Sequence, residues 1–211
     1  MGDDGQLYVA EEVVTIYKSI IPNADVILPN QYEAEWLSDC KLDTMDSITP
    51  CLERLHQIYK VKNIVISSLR LASHPGVILC CGSTATTDFK ARAFMLQAPV
   101  IDGPFVGTGD LFAALLLARL HPFAGELVPD NSISPTQLPL AKALEYVIAS
   151  MQGVLLNTKA EMDKQLEKDG DISSLTKKEK AVRLMRACEL RLVRSLKELV
   201  SPKVVARAVE L

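Results

Sequence analysis

Apolar residues recur at helical spacing over Glu11–Ile20, where Val13, Val14, Ile16, Tyr17 and Ile20 share a face until Pro22-Asn23 ends the run. Residues 24–28 form a short apolar stretch closed by Pro29, and Gln31–Ser38 comes next as a helix with acids near its start. Leu52, Leu55, Ile58 and Tyr59 fall on one side of a helix over 50–59, and the β-branched run at 63–67 reads as a strand. Residues 76–81 and 90–96 read as two strands of a hairpin around a turn at 82–87. Gly107-Thr108-Gly109-Asp110 opens an apolar helix from Leu111, and 138–156 is helical again. Residues 161–180 read as a charge-rich connection and 182–192 as a last helix, with Pro202 interrupting any regular element after it. This alternation predicts a mostly parallel sheet with helices on both faces and an antiparallel hairpin added late.

Composition narrows the picture without changing it. The 211 residues, 48% hydrophobic and 23% charged, suffice for one domain over 1–211 with a substantial core. With 26 acidic against 23 basic residues the net charge is −3, which argues against binding nucleic acid or an anionic membrane through bulk charge. Cys40, Cys51, Cys80, Cys81 and Cys188 have no C-x-x-C spacing, which disfavours zinc and a disulfide framework and makes the cytosol the expected compartment. The apolar stretch at 111–120 is too short to span a bilayer, which takes about 20 residues. The opening Met1-Gly2-Asp3-Asp4-Gly5 has turn composition, with no strand or helix before it.

Two loops are expected at the carboxyl ends of strands, where α/β sheets place ligands. Gly107, Thr108 and Gly109 precede a helix whose first N–H groups and dipole favour an anion, and glycines allow a phosphate to come close. A carboxylate at Asp110 would repel that anion unless it has a task, such as taking the proton of an attacking hydroxyl. The competing reading is a tight turn with an ordinary first-turn acid. Asn30 and Glu33, three apart at a helix start, could both face a magnesium ion or could form a reciprocal cap. Asp3 and Asp4 could add a carboxylate or simply form the turn. Ser67 and Ser68 end a strand where hydroxyls could reach a phosphate or bond local backbone. His56, His74 and His121 share no spacing with a nucleophile, which disfavours a histidine-based hydrolase.

The segments at 24–35 (ADVILPNQYEAE) and 105–114 (FVGTGDLFAA) resemble the two signature regions of the pyridoxal kinases, in the ribokinase-like superfamily. The opening residues 1–9 and the tail from Glu189 through Val205 are similar to that family's metal-side turn and C-terminus. The resemblance implies a three-layer ribokinase-like fold and ATP-dependent phosphorylation of the 5′-hydroxyl of pyridoxal, pyridoxine or pyridoxamine. It also implies a cytoplasmic homodimer using Mg²⁺ and a monovalent cation. By matching position, it makes Asp110 the base and Gly107, Thr108 and Gly109 the anion hole. Asp3 and Glu33 become magnesium-side acids, with Asn30 near the phosphates and Ser67 and Ser68 on the nucleotide. Adenine is expected near Val100 and Phe105 and against the helix at 147–151.

Two departures accompany the resemblance. Leu28 stands where family members often carry a threonine, and the family's N-terminal strands, with most of the vitamin pocket, are missing before Met1. A start at an internal methionine, in a shortened isoform or an incomplete gene model, is the expected explanation, and an exposed sheet edge its expected consequence. The alternatives are a catalytically inactive nucleotide-binding or dimerising fragment, or another vitamin or sugar kinase of the superfamily.

Overall fold

The structure, a computed structural model, describes residues 11–121, 130–168 and 176–211. Its helices are α1 (Glu11–Ile20), α2 (Gln31–Ser38), α3 (Ile48–Tyr59), α4 (Thr108–Leu120), α5 (Pro139–Lys168), α6 (Lys177–Ala187) and α7 (Leu196–Val200). Its strands are β1 (Val26–Ile27), β2 (Asn63–Leu69), β3 (Val77–Ala85), β4 (Ala91–Pro99) and β5 (Val209–Glu210), in one sheet of order β1-β2-β3-β4-β5.

The sheet corrects the mostly parallel expectation. Only β1 and β2 pair in parallel; β2 with β3, β3 with β4 and β4 with β5 are antiparallel, so among the described residues the sheet is mostly antiparallel. Connection length is the reason for the β2–β3 and β3–β4 pairings. A parallel crossover needs a dozen or more residues, which α2 and α3 supply between β1 and β2. The links at 70–76 and 86–90 are too short for anything but hairpins.

Side chains alternate between two cores. Ile64, Ile66, Leu79, Cys81 and Ala93 face α2 and α3, packing with Ala34, Leu52 and Leu55. Val65, Cys80, Phe94, Leu96 and Ala98 face α4 and α5, packing with Phe112, Leu116, Leu144 and Val147. Both layers of helices are thus present as expected. Burial pushes the Cys51 thiol up to about 11 and Cys81 to about 12, which keeps these core sulfurs protonated and inert.

Three further boundaries differ from the sequence reading. Gly82 is not in a turn but inside β3 opposite Phe94, where a Cβ would stand 2.5 Å from the ring Cζ; the glycine is there for close approach. The turn lies at 86–90, closed by the Thr86 N–H on the Lys90 carbonyl at 2.9 Å. The charged stretch from 161 is not a connection at its start, because α5 continues to Lys168. Its solvated turns carry i,i+3 and i,i+4 pairs, Lys164 with Glu161 at 3.0 Å and Lys159 with Asp163 at 3.8 Å. The final long helix begins earlier and ends sooner than read, at Lys177 and Ala187, started by a capping box between Thr176 and Glu179.

Two buried polar groups tie elements together. Glu145 on α5, 2% exposed, accepts from Arg207 Nη1 at 2.6 Å and the Ala208 N–H at 3.2 Å, holding the tail that supplies β5. His56 on α3 sits with Nδ1 2.7 Å from the Val61 carbonyl and Nε2 2.9 Å from Ser83 Oγ.

Candidate functional site

Sheet direction decides which loops meet. Two antiparallel steps return β4 to the direction of β2, and β1 is parallel to β2, so the carboxyl ends of β1, β2 and β4 lie along one edge. The loop at 28–30, the end of β2 at Ser67-Ser68 and the segment 100–107 all leave from that edge. Leu28 and Leu111, flanking the first and last of these, pack against the same core.

Gly107 is the N-cap of α4 with φ 84°, a left-handed conformation that an L side chain resists. Its carbonyl accepts from the Leu111 N–H at 3.0 Å, and no side chain caps the helix start among the described residues. Beyond its chain neighbours and its own helix backbone, a Cβ placed on Gly107 or Gly109 would meet no atom of the described residues within 4 Å. Asp110 is the third helical residue, exposed to solvent. Asp110 and the backbone donors of the first turn thus belong to one solvent-accessible helix start.

The loop at 28–30 takes the other form. Asn30 Oδ1 accepts from the Glu33 N–H at 2.9 Å and Glu33 Oε2 accepts from the Asn30 N–H at 2.9 Å, a complete capping box on α2. Of the two readings open for this pair, the reciprocal cap is present. Among the described residues no group of three or more His, Cys, Asp or Glu is placed to hold a metal. Asp3 lies outside the described residues. Of the two acids expected on the magnesium side, the described one, Glu33, has its Oε2 on the Asn30 N–H.

Ser67 and Ser68 are half-buried at an irregularity in β2, where pairing shifts from Ile66 opposite Cys81 to Leu69 opposite Leu79. One extra residue on the β2 side makes a bulge, and bulges re-aim side chains next to binding sites. The bulge is stitched to the loop at 28–30 by the Ser67 N–H on the Pro29 carbonyl at 3.0 Å. Val100, half-buried, is held by its N–H on the Gly76 carbonyl at 3.0 Å. The half-buried Phe105 ring lies against Gly103, where a Cβ would come within 2.6 Å of it. Val147, Ile148 and Met151, expected beside adenine, are core residues at 0%, 7% and 8% exposure, so that stretch of α5 faces the sheet.

Sequence reasoning missed two contacts. Gln31 Nε2 donates to the Leu42 carbonyl at 2.9 Å while its Oε1 accepts from the Arg70 N–H at 3.3 Å, and a lone glutamine carries no motif. Val106 bridges to Glu189 and its N–H reaches the Cys188 carbonyl at 3.4 Å, a long-range contact with no local signal in the sequence. A cavity of about 340 Å³ lies elsewhere, between α5 and the segment at 191–194, lined by Glu161, Lys164, Gln165, Arg191 and Arg194. No described helix is long and apolar enough to cross a membrane.

Known proteins are similar to this chain in sequence and fold. The phosphomethylpyrimidine kinase family model matches residues 1–150. A Schizosaccharomyces pombe protein provisionally named a pyridoxal kinase is 36% identical over 99% of this chain and 61% of its own length. The Bos taurus pyridoxal kinase is 32% identical over 99% of this chain and 62% of its own. A Leishmania donovani pyridoxal kinase, solved with ADP and pyridoxamine, superposes with a TM-score of 0.74 at 26% identity, covering 100% of this chain and 60% of that one. The chain thus spans about 60% of the length of these relatives. It belongs to the phosphomethylpyrimidine kinase family, within the ribokinase-like superfamily that holds the pyridoxal kinases.

Proposed function

We propose that this chain carries the nucleotide-binding and phosphoryl-transfer side of a pyridoxal kinase. The observation that carries the reading is the start of α4: a helix N-terminus behind Gly107 with no capping side chain, no atom of the described residues beyond its own backbone within 4 Å of a Cβ on either glycine, and Asp110 exposed in the same turn. In this reading the 5′-hydroxyl oxygen of pyridoxal, pyridoxine or pyridoxamine attacks the γ-phosphorus of ATP. The bond from that phosphorus to the β,γ-bridging oxygen breaks, ADP leaves, and the hydroxyl proton passes to the Asp110 carboxylate. First-turn N–H groups around Gly107, Thr108 and Gly109 take the charge that develops on the phosphoryl oxygens.

Magnesium enters as part of the MgATP substrate, drawing most of its ligands from phosphate and water, with Glu33 and Asp3 on its side of the site. Asn30, Ser67 and Ser68 line the phosphates, and Val100 and Phe105 supply an apolar rest for the base. A monovalent cation, a homodimer and a cytoplasmic location belong to the same proposal.

A coupled assay of the chain with ATP, Mg²⁺ and pyridoxal tests it, with ribose and hydroxymethylpyrimidine in parallel. Pyridoxal turnover well above that of Asp110→Asn is the expected result; turnover equal to that control rejects catalysis by this chain. The capping box that engages Glu33 with the Asn30 N–H favours a second reading, a nucleotide-binding or dimerising chain without phosphoryl transfer. Calorimetric binding of MgATP without turnover selects that reading. The family model's own description favours a third, a kinase for another vitamin or sugar, which preferential turnover of hydroxymethylpyrimidine or ribose would select.

A further inference from the structure

We infer that Gln31 is a positioning residue that sets the spacing between the two phosphate-side elements, the Asn30 loop and the bulged end of β2. The inference rests on the nucleotide reading above and adds a residue to it. Gln31 is the first helical residue of α2, directly after the Asn30 cap. Its Oε1 accepts the N–H of Arg70, one residue beyond the end of β2, at 3.3 Å. Two residues earlier the Pro29 carbonyl accepts the Ser67 N–H at 3.0 Å. The segment at 29–31 therefore grips the segment at 67–70 at both ends, at Ser67 and at Arg70, with Ser68 between the grips.

The bulge explains why the second grip is needed. Between Ile66 and Leu69 the ladder to β3 slips by one residue, so pairing with β3 does not fix Ser67-Ser68 continuously. The α2 side supplies the missing restraint. The other end of the same amide, Nε2 on the Leu42 carbonyl at 2.9 Å, anchors Gln31 to the chain after α2 and fixes the rotamer that reaches Arg70. Both hydrogen-bonding functions of one side chain are thus spent on backbone, and each partner belongs to a different segment. A displacement of Ser67-Ser68 relative to Asn30 would be felt by a ligand touching both, and much less by the core beneath.

The test uses the full 211-residue chain and MgATP as the probe, comparing Gln31→Met with Gln57→Met. Methionine keeps the length of the side chain and removes both bonds; Gln57, on the exposed side of α3, donates to Glu53 and serves as the control. Gln31→Met should weaken MgATP binding about tenfold. Amide exchange at Ser68 and Arg70 should quicken, while the melting temperature stays within about 4 °C of wild type. Where turnover is measurable, KM for ATP should rise and kcat and KM for pyridoxal should not. Gln31→Asn, too short to span both partners, should behave like Gln31→Met and stands in if that variant fails to fold. Gln57→Met should match wild type. MgATP affinity of Gln31→Met within twofold of wild type overturns the inference alone. So does a loss of affinity accompanied by faster exchange throughout the molecule. If the wild-type chain itself binds no MgATP, the nucleotide reading falls and this inference with it.

Discussion

Helices α2 and α4 start at the same edge of the sheet and end their first turns in opposite ways. The start of α2 is closed on itself, with Asn30 and Glu33 exchanging side-chain and backbone bonds at 2.9 Å each. The start of α4 has a glycine for a cap and no capping side chain, and among the described residues beyond its own backbone nothing lies within 4 Å of where a Cβ on Gly107 or Gly109 would stand. A helix that satisfies its own first turn is stable without a ligand; one that starts on a glycine gives up only about a few tenths of a kcal/mol of capping and keeps its donors for an anion. On the function proposed above, the difference separates a structural helix start from a binding one, although both sequences carry an acid at the third helical position.

The largest expected effect comes from the acid on the open side. Asp110→Asn removes the proton acceptor with almost no change of shape, and turnover should fall by about 10²- to 10⁴-fold while MgATP binding persists. Steady-state kinetics beside calorimetry measure both; equal turnover in the two proteins would make Asp110 a first-turn acid like Glu33 and erase the contrast.

Next is the cap. Gly107→Ala meets no neighbour, so its cost is the left-handed backbone at φ 84°, about 1–2 kcal/mol. If the chain escapes that strain by moving Gly107 out of its left-handed conformation, the first turn re-aims and MgATP binding weakens with it. Denaturant midpoints and calorimetry should therefore change together. A stability loss without any change in affinity would show that the start of α4 is not where the phosphates sit.

Asn30→Ala should act in the opposite proportion. It removes half of the capping box and costs about 1 kcal/mol in a denaturant titration. Its effect on MgATP should be smaller than that of Gly107→Ala, because the box is already occupied by the protein. The reverse ranking would mean that the box opens to bind ligand.

How much of this was legible depended on whether the signal was local. The bounds of α1 and α2 follow from Pro22 and from the Asn30–Glu33 spacing, and the start of α4 follows from the glycines and the apolar run behind them. Strand direction was not legible from hydrophobic period, which is the same for parallel and antiparallel neighbours; link length carried it, read correctly for the β3–β4 hairpin and overlooked in the seven residues at 70–76 between β2 and β3. Gly82 misled because a strand glycine facing Phe94 and a turn glycine look alike in sequence. The end of α5 misled because a helix that leaves the sheet loses its apolar stripe while keeping its charge pairs. For the candidate site, residue types were visible and their partners were not. Asn30 could be read as ligand or cap until its bonds were seen, and Gln31 could not be read at all.

The smallest effect tests whether the contrast between α2 and α4 is local to their edge. His56 lies at the opposite edge, because Ser83 pairs with Ile64 near the start of β2. A neutral ring whose Nδ1–H donates to Val61 and whose Nε2 accepts from the Ser83 hydroxyl satisfies both nitrogens. Burial, foremost, and the Arg92 charge hold its pKa below the ordinary 6.5, against an opposing pull from the Val61 carbonyl and Glu53. The unfolded chain therefore takes up this proton first as pH falls. The stability His56 contributes is fully present above about pH 6.5 and is lost below it, at no more than about 1.4 kcal/mol per pH unit. The exposed carboxylates held low by their partners, Asp88, Asp130, Glu161 and Glu179, have ordinary values of 3.8 or 4.5 and act only in more acid solution. Urea midpoints between pH 7.5 and 5.5 should thus fall more steeply for wild type than for His56→Gln. At each pH the two proteins should bind MgATP equally. A parallel loss of affinity would mean that the two edges are coupled through β2, and the openness of α4 could then no longer be ascribed to Gly107 alone.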